Sequence, residues 1–257
     1  MEVPIQQLIE WCYPTRLFQN PNSTTYIGYD FKNRVISVER DFTTRVFEYD
    51  ENDLVIRIEE FDFYSDSEAI ALYEYDDQSR IIKKTRGYVA EGGGGDTTVL
   101  VYEHYQDSIL VRTDEGIITT GYFGLNEFNK PGSVLYYDNY EEEIDLYGSE
   151  VFKYDEFGNV IERELSTLFR GTETDIYEYN YDLDYIDIDP TPELFSQHDY
   201  AITNWKSIGG TFDENYTYVY DYYPELYLLQ VTVIDSTFAD PDPDIYLDSQ
   251  YFFTCDE

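Results

Sequence analysis

VFKYDEFGNVIERE, residues 151–164, sets how the rest of the chain is read. Phe152 and Tyr154 alternate with Lys153 and Asp155, and a period of two marks a half-buried strand. Asp155-Glu156-Phe157-Gly158-Asn159 then supplies turn chemistry: an Asp side chain can bond the backbone ahead of it, and Gly158 or Asn159 can take positive φ. Val160-Ile161-Glu162-Arg163-Glu164 resumes as a β-branched, alternating strand. The unit is a hairpin.

The same grammar recurs along the chain. Tyr29-Asp30 leads through Asn33 to Val35-Ile36. Tyr49-Asp50 leads through Asn52 and Asp53 to Val55-Ile56, and Tyr75-Asp76 leads to Ile81-Ile82. Tyr220-Asp221 leads to Leu226–Val231, with looser versions at Tyr137-Asp138 and Tyr179-Asn180. The first copies fall 20 and 26 residues apart, about one hairpin each, a period typical of stacked supersecondary units.

The pattern aromatic-x-Tyr-Asp-x-x-x-(Arg/Asn)-(Val/Ile) resembles the YD repeat of Rhs-type proteins. It is more similar still to the degenerate YD-like repeats of Bacteroidetes lipoproteins, which belong to domain families of unknown function. Ile202–Val233 carries the strongest likeness: Asn204-Trp205-Lys206, a Gly turn, then Tyr216-x-Tyr218-x-Tyr220-Asp221. Only Gly158 sits where the family places its turn glycine. The resemblance implies a non-catalytic protein of the cell envelope or extracellular space, and it brings no catalytic residues.

A chain of 257 residues with 42% hydrophobic and 18% aromatic content can bury a core, and its 29 Tyr and 16 Phe favour strands. The formal net charge is −38, from 54 acidic residues against 16 Lys and Arg. Such a surface repels nucleic-acid phosphates and anionic lipid and attracts cations and basic partners. It suits a solvated acidic exterior, as in an extracellular or salt-adapted protein, or an intracellular acidic immunity or nucleic-acid-mimic protein. No run of eighteen apolar residues is present, so no membrane-spanning helix is expected. Met1-Glu2-Val3-Pro4 lacks a signal peptide's basic start, and Ile9-Glu10-Trp11-Cys12 is a poor lipobox. Cytoplasmic location is therefore the alternative to the envelope.

Ile5, Leu8 and Ile9 stand at helical spacing and predict either a short opening helix ended by Pro14 or an irregular arm. The glycine run in Glu91–Asp96 has no following Lys-Ser/Thr, so it predicts a hairpin tip and not a phosphate loop. Asp189-Pro190-Thr191-Pro192 is the best internal boundary of a single repeat domain spanning 1–257. Leu194, Phe195, His198, Ile202 and Trp205 have near-helical spacing and predict a short helix or loop capping an open end of the sheet.

Candidate sites are sparse. His104 and His198 have no second ligand at metal spacing, and there is no Gly-x-Ser-x-Gly elbow. Asp240, Asp242 and Asp244, with Asp235 and Asp248 nearby, offer oxygens to calcium without an EF-hand pattern; Asp182, Asp184, Asp187 and Asp189 do so more weakly. Cys12 and Cys255 lie near opposite ends, either bonded to each other or free. The tyrosines divide between cross-strand packing and a surface that stacks on sugars or grips a partner. No catalytic, cofactor or metal residue is assigned. The expected fold is all-β: a long antiparallel meander of about twelve to fourteen strands, curved or partly closed, or else split into two packed sheets. The expected function is a non-catalytic envelope binding or scaffold protein with a glycan, protein or, less favoured, calcium ligand. The alternatives are the acidic immunity or mimic protein and, last, a carboxylate-based hydrolase.

Overall fold

The structure, a computed structural model, describes residues 12–19, 23–65, 67–89, 96–140, 143–168, 171–184, 190–192, 194, 197–198, 200–209, 213–223, 228–237 and 244–255. Eighteen strands run in order: β1 (Cys12–Gln19), β2 (Ser23–Tyr29), β3 (Val35–Arg40), β4 (Thr43–Tyr49), β5 (Val55–Asp62), β6 (Ser67–Tyr75), β7 (Ile81–Val89), β8 (Thr97–His104), β9 (Ser108–Thr113), β10 (Ile118–Leu125), β11 (Pro131–Tyr140), β12 (Glu143–Tyr154), β13 (Val160–Thr167), β14 (Gly171–Asp184), β15 (Tyr200–Ile208), β16 (Glu214–Tyr223), β17 (Leu228–Asp235) and β18 (Asp244–Cys255). Each pairs antiparallel with its sequence neighbours, and β1 also pairs with β18, with Cys12 opposite Cys255. The meander closes into an up-and-down barrel, which removes every edge strand.

Eighteen strands exceed the expected twelve to fourteen, and two of them lie where no strand was read. Residues 12–19 are a strand where none was expected before Thr24, and 200–208 are a strand where a helix was expected. In β15 the periodicity was ambiguous: Ala201 and Ser207 are buried, and Trp205 faces Tyr177 across the β14–β15 pair. Pairing with a long neighbour overrides a short helical pattern. The predicted opening helix at 5–11 and the glycine run at 91–95 lie outside the described residues.

One turn type builds one end of the barrel. At Asp30, Asp50, Asp76, Asn126 and Asp155 the first residue's amide donates to the carbonyl four residues on, and the amide three residues on donates back. The side-chain Oδ1 accepts from the amides two and four residues ahead at 2.8–3.1 Å. The fourth position takes positive φ: Asn33, Asp53, Ser79, Asn129 and Gly158. Gly158 alone has a further reason to be glycine, because a Cβ there would meet the Phe128 ring at 2.9 Å.

The tyrosine before each turn has its own task. The β3–β4 ladder stops at Ser37 opposite Val46, two residues short of Val35, and Tyr49, three residues past Val46, donates its hydroxyl to the Val35 carbonyl at 2.6 Å. The offsets repeat for Tyr29 to Pro14, Tyr75 to Val55, Tyr154 to Pro131, Tyr179 to Val160 and Tyr220 to Ile202. His104 does the same through Nε2 to the Ile81 carbonyl at 2.8 Å, which places its proton on Nε2. In β10 the position is Leu125, and there the ladder continues: the Leu125 amide donates to the Asp107 carbonyl. The hydroxyl strap therefore stands in for backbone pairing where neighbouring strands splay, so that no carbonyl is left without a donor.

The apolar face lines the inside. Phe47, Val55, Ile58, Tyr73 and Ile81 form one buried cluster and Val134, Phe152 and Val160 another. Leu194 packs on the first and lines a cavity beside the second. A single residue can touch both only from the concave side. Side chains of opposite parity face outward, and there Lys83 pairs with Glu74, Lys153 with Glu162, Arg112 with Glu103 and Arg57 with Glu59. An outer wall bearing charges in mid-strand is the inverse of the apolar belt a bilayer requires. Among the described residues no helix is long and apolar enough to cross a membrane.

Candidate functional site

Eight strands make a barrel that its own side chains fill, whereas eighteen leave room inside. The accessible surface is 16025 Å², well above the roughly 11,800 Å² expected of a compact protein of this mass. The β14–β15 connection contributes to the interior: Pro190, Thr191, Pro192 and Leu194 line cavities against β4 to β12.

One cavity, about 660 Å³, lies at the turn-lined end. Three strap residues, Tyr49, Tyr75 and His104, present their rings to it, held in place by the bonds at their tips. The turns supply Asp53, Gln78, Ser79, Arg80 and Asn129, and the β8–β9 turn supplies Tyr105 and Gln106. Val55, Ile81, Ile109 and Leu125 make the apolar wall, and Pro190, Pro192 and Leu194 close the far side. Aromatic faces on rigid strands with amides and hydroxyls around them suit a ligand with apolar faces and polar edges.

The charged groups at this mouth are held by neighbours. The Arg80 guanidinium bonds Asp76 and, with the Arg80 and Gln78 amides, holds that carboxyl down to about 2. Lys32, bonded at 2.8 Å, and Arg34 hold Asp53 below the usual carboxylate range. Burial pushes the Tyr49 and Tyr75 hydroxyls up, so both straps keep their protons.

A second cavity, about 300 Å³, adjoins a buried ionic network. Arg163 bonds Glu150 through Nε at 2.8 Å and reaches Asp175 at 3.3 Å; the Tyr136 hydroxyl donates to Glu150 and the Trp205 indole to Asp175. The bond to Glu150 raises the Arg163 pKa, and burial pushes Tyr122 and Tyr177 up to about 12. Both carboxylates are committed to Arg163, so the network fixes β12, β13 and β14 to one another.

The two histidines lie apart: His104 straps β8 to β7, and His198 packs on Tyr177 with its Nδ1 beside the Tyr179 hydroxyl. Of the aspartates considered for calcium, Asp187, Asp189, Asp240 and Asp242 lie outside the described residues, as do the side chains of Asp184 and Asp244. Among the described residues no group of three or more His, Cys, Asp or Glu is arranged to hold a metal. The backbones of Cys12 and Cys255 are described and their side chains are not.

No protein-family model and no curated protein matches this chain. Solved structures do. A porin-like protein from Bacteroides vulgatus is 12% identical over 95% of this chain and 98% of its own, with a TM-score of 0.44. A porin-like protein from Bacteroides uniformis is 12% identical over 83% and 96%, with a TM-score of 0.35. The complex TcdB2-TccC3 without its hypervariable C-terminal region is 11% identical over 85% of this chain and 15% of that one, with a TM-score of 0.29. At these scores none bears on what this chain binds.

Proposed function

We propose that this protein is a non-catalytic binding protein of the cell envelope, a hollow barrel standing in aqueous solution that takes a small glycan into the cavity at its turn-lined end. The observation that carries the reading is the cavity of about 660 Å³, with Tyr49, Tyr75 and His104 as fixed ring faces and Gln78, Gln106, Ser79 and Asn129 as polar edges. Sugars offer apolar ring faces and hydroxyl edges, the complement of that lining. The envelope placement rests on the likeness to lipoprotein YD-like repeats. The charged outer wall supports an aqueous position over a bilayer one. The acidity fits a solvated exterior, since the acids named on the outer wall alternate with Lys and Arg partners.

Saturation-transfer NMR against a panel of neutral di- and trisaccharides (cellobiose, maltotriose and chitobiose among them) tests the reading. Binding is expected for at least one, weakened by Gln78→Ala and Gln106→Ala, which touch the cavity without strapping strands. If every saccharide in the panel gives no transfer, the glycan reading fails.

A further inference from the structure

The chain has 16 Lys and Arg against 54 acids, so an unpaired cation is unexpected. Arg34, Arg45, Arg57, Arg80, Lys83, Arg112, Lys153 and Arg163 all hold carboxylates. Lys84 and Arg86 do not, and neither do exposed Arg40 and Lys206: among the described residues no carboxylate lies within ion-pair distance of any of the four. Lys84 and Arg86 face inward. Lys84 stands opposite buried Tyr73, with its ammonium 5.4 Å from the ring centre, and Arg86 stands opposite Ala71.

They line a separate interior cavity of about 150 Å³, together with Arg45, Ile58, Glu60, Ala69, Ala71, Tyr73 and Thr191. In register, Arg45 faces Glu60, Glu60 faces Ala69, Ile58 faces Ala71, and Ala71 faces Arg86. The two alanines keep the floor low between the cations. Among the described residues that line it are three cations and one carboxylate, and that carboxylate, Glu60, is bonded to Arg45. That space corresponds to about five waters, enough for a small oxyanion with part of its hydration.

We propose that Arg45, Lys84 and Arg86 form an anion-binding site inside the barrel for a phosphate-like oxyanion, free or carried on a larger ligand. The planar Arg86 fork presents paired donors to two oxygens and Lys84 a point charge to a third, while Arg45, held by Glu60, adds positive charge at the edge. Lys84 is half-buried whereas Arg86 is exposed and the Arg45 side chain is 40% exposed, so the contact to Lys84 is the one that the low-dielectric wall strengthens, and the acidic exterior leaves the lumen as the place where an anion is held. Burial and the neighbouring Arg86 charge both lower the Lys84 pKa, a cost that a bound dianion offsets. The site goes beyond the mouth cavity: Thr191 faces it while Pro190 and Pro192 face the other, so either can fail alone.

The test is titration of the full chain with inorganic phosphate, followed by calorimetry and by the 31P line width at constant ionic strength, with chloride as comparator. Saturable binding to one site is expected, weakened about tenfold or more by Lys84→Gln and by Arg86→Gln, and unaltered by Lys83→Gln on the outer face. Lys84→Met serves as the folding control. Without phosphate its melting temperature equals or exceeds that of the unaltered chain, because a half-buried charge with no carboxylate beside it is removed. With phosphate only the unaltered chain gains stability. Equal responses to chloride and phosphate, no saturable binding, or binding that survives both Gln substitutions would each overturn the site.

Discussion

Replacing Tyr75 by Phe removes one hydroxyl and nothing else. In the native barrel that hydroxyl donates to the Val55 carbonyl at 2.6 Å, beyond the last β5–β6 backbone pair. A hydrogen bond of this kind contributes a net ~0.5–1.5 kcal/mol, and an unsatisfied buried carbonyl costs ~1–3 kcal/mol. Tyr75 and Val55 both line the 660 Å³ cavity, so water can reach the freed carbonyl. The loss should fall near ~1 kcal/mol, a drop of about 2–4 °C in melting temperature for a chain of this length. Tyr179→Phe is the contrast. Tyr179 is 8% exposed and its acceptor residue Val160 is 0% exposed, so water has no easy route and the cost should rise to ~2–3 kcal/mol. Urea unfolding followed by circular dichroism measures both, with the m-value unchanged because the surface exposed on unfolding is the same. If both variants stay within about 0.5 kcal/mol of the parent, or Tyr75→Phe costs more than Tyr179→Phe, the strap reading is wrong.

Other expectations follow from the same geometry. Gly158→Ala should cost about 1–3 kcal/mol, since φ is +89° and the new Cβ would meet the Phe128 ring at 2.9 Å; Asn129→Gly, at φ +58°, should change stability far less in the same urea titration. Arg163→Met should cost about 3–5 kcal/mol by stranding buried Glu150 and Asp175, and a fully folded variant with an unchanged urea midpoint would refute that role. At high pH the folded state keeps tyrosine protons that the unfolded chain releases near pH 10. With Tyr122 and Tyr177 pushed up to about 12 by burial, their contribution is complete below about pH 10 and is lost between there and about 12; urea midpoints that stay flat across this window would contradict it. Cys12 and Cys255 occupy facing register positions, where Cα atoms lie about 4.5–5.5 Å apart, within disulfide range. Mild oxidation should therefore protect both thiols from alkylation in the monomer, and continued labelling of both after oxidation would exclude the bond.

The repeat was legible because each of its letters has a physical task. In Tyr154-Asp155, the Asp closes its own turn and the Tyr straps the next carbonyl, so both are visible as a dipeptide. Closure was not legible, because it depends on the β1–β18 pairing between the two ends of the sequence. The β15 strand was misread because Leu194, Phe195, His198, Ile202 and Trp205 mimic helical spacing, when Leu194 belongs to a luminal segment and Trp205 to a strand. The mouth cavity left no pattern, since its lining comes from seven strands and their turns. The interior cations did leave one: Arg45 shares the parity of Phe47 and Tyr49, so a basic residue on the buried face could have been read in the stretch Thr44–Tyr49.

A ring made of one repeated hairpin has a bore set by copy number. Barrel diameter grows roughly in proportion to strand count, and each added unit contributes two strands, one turn and one strap that reaches only to its neighbour. Tandem duplication of a single hairpin would widen the lumen by a fixed step while leaving the joints of the other units as they are, and deletion of one would narrow it. Leu125 marks how far a unit can drift and stay in the ring, because its own amide takes over the carbonyl that a hydroxyl serves elsewhere. The bore of this architecture is therefore open to change by unequal recombination between copies, without any new packing solution.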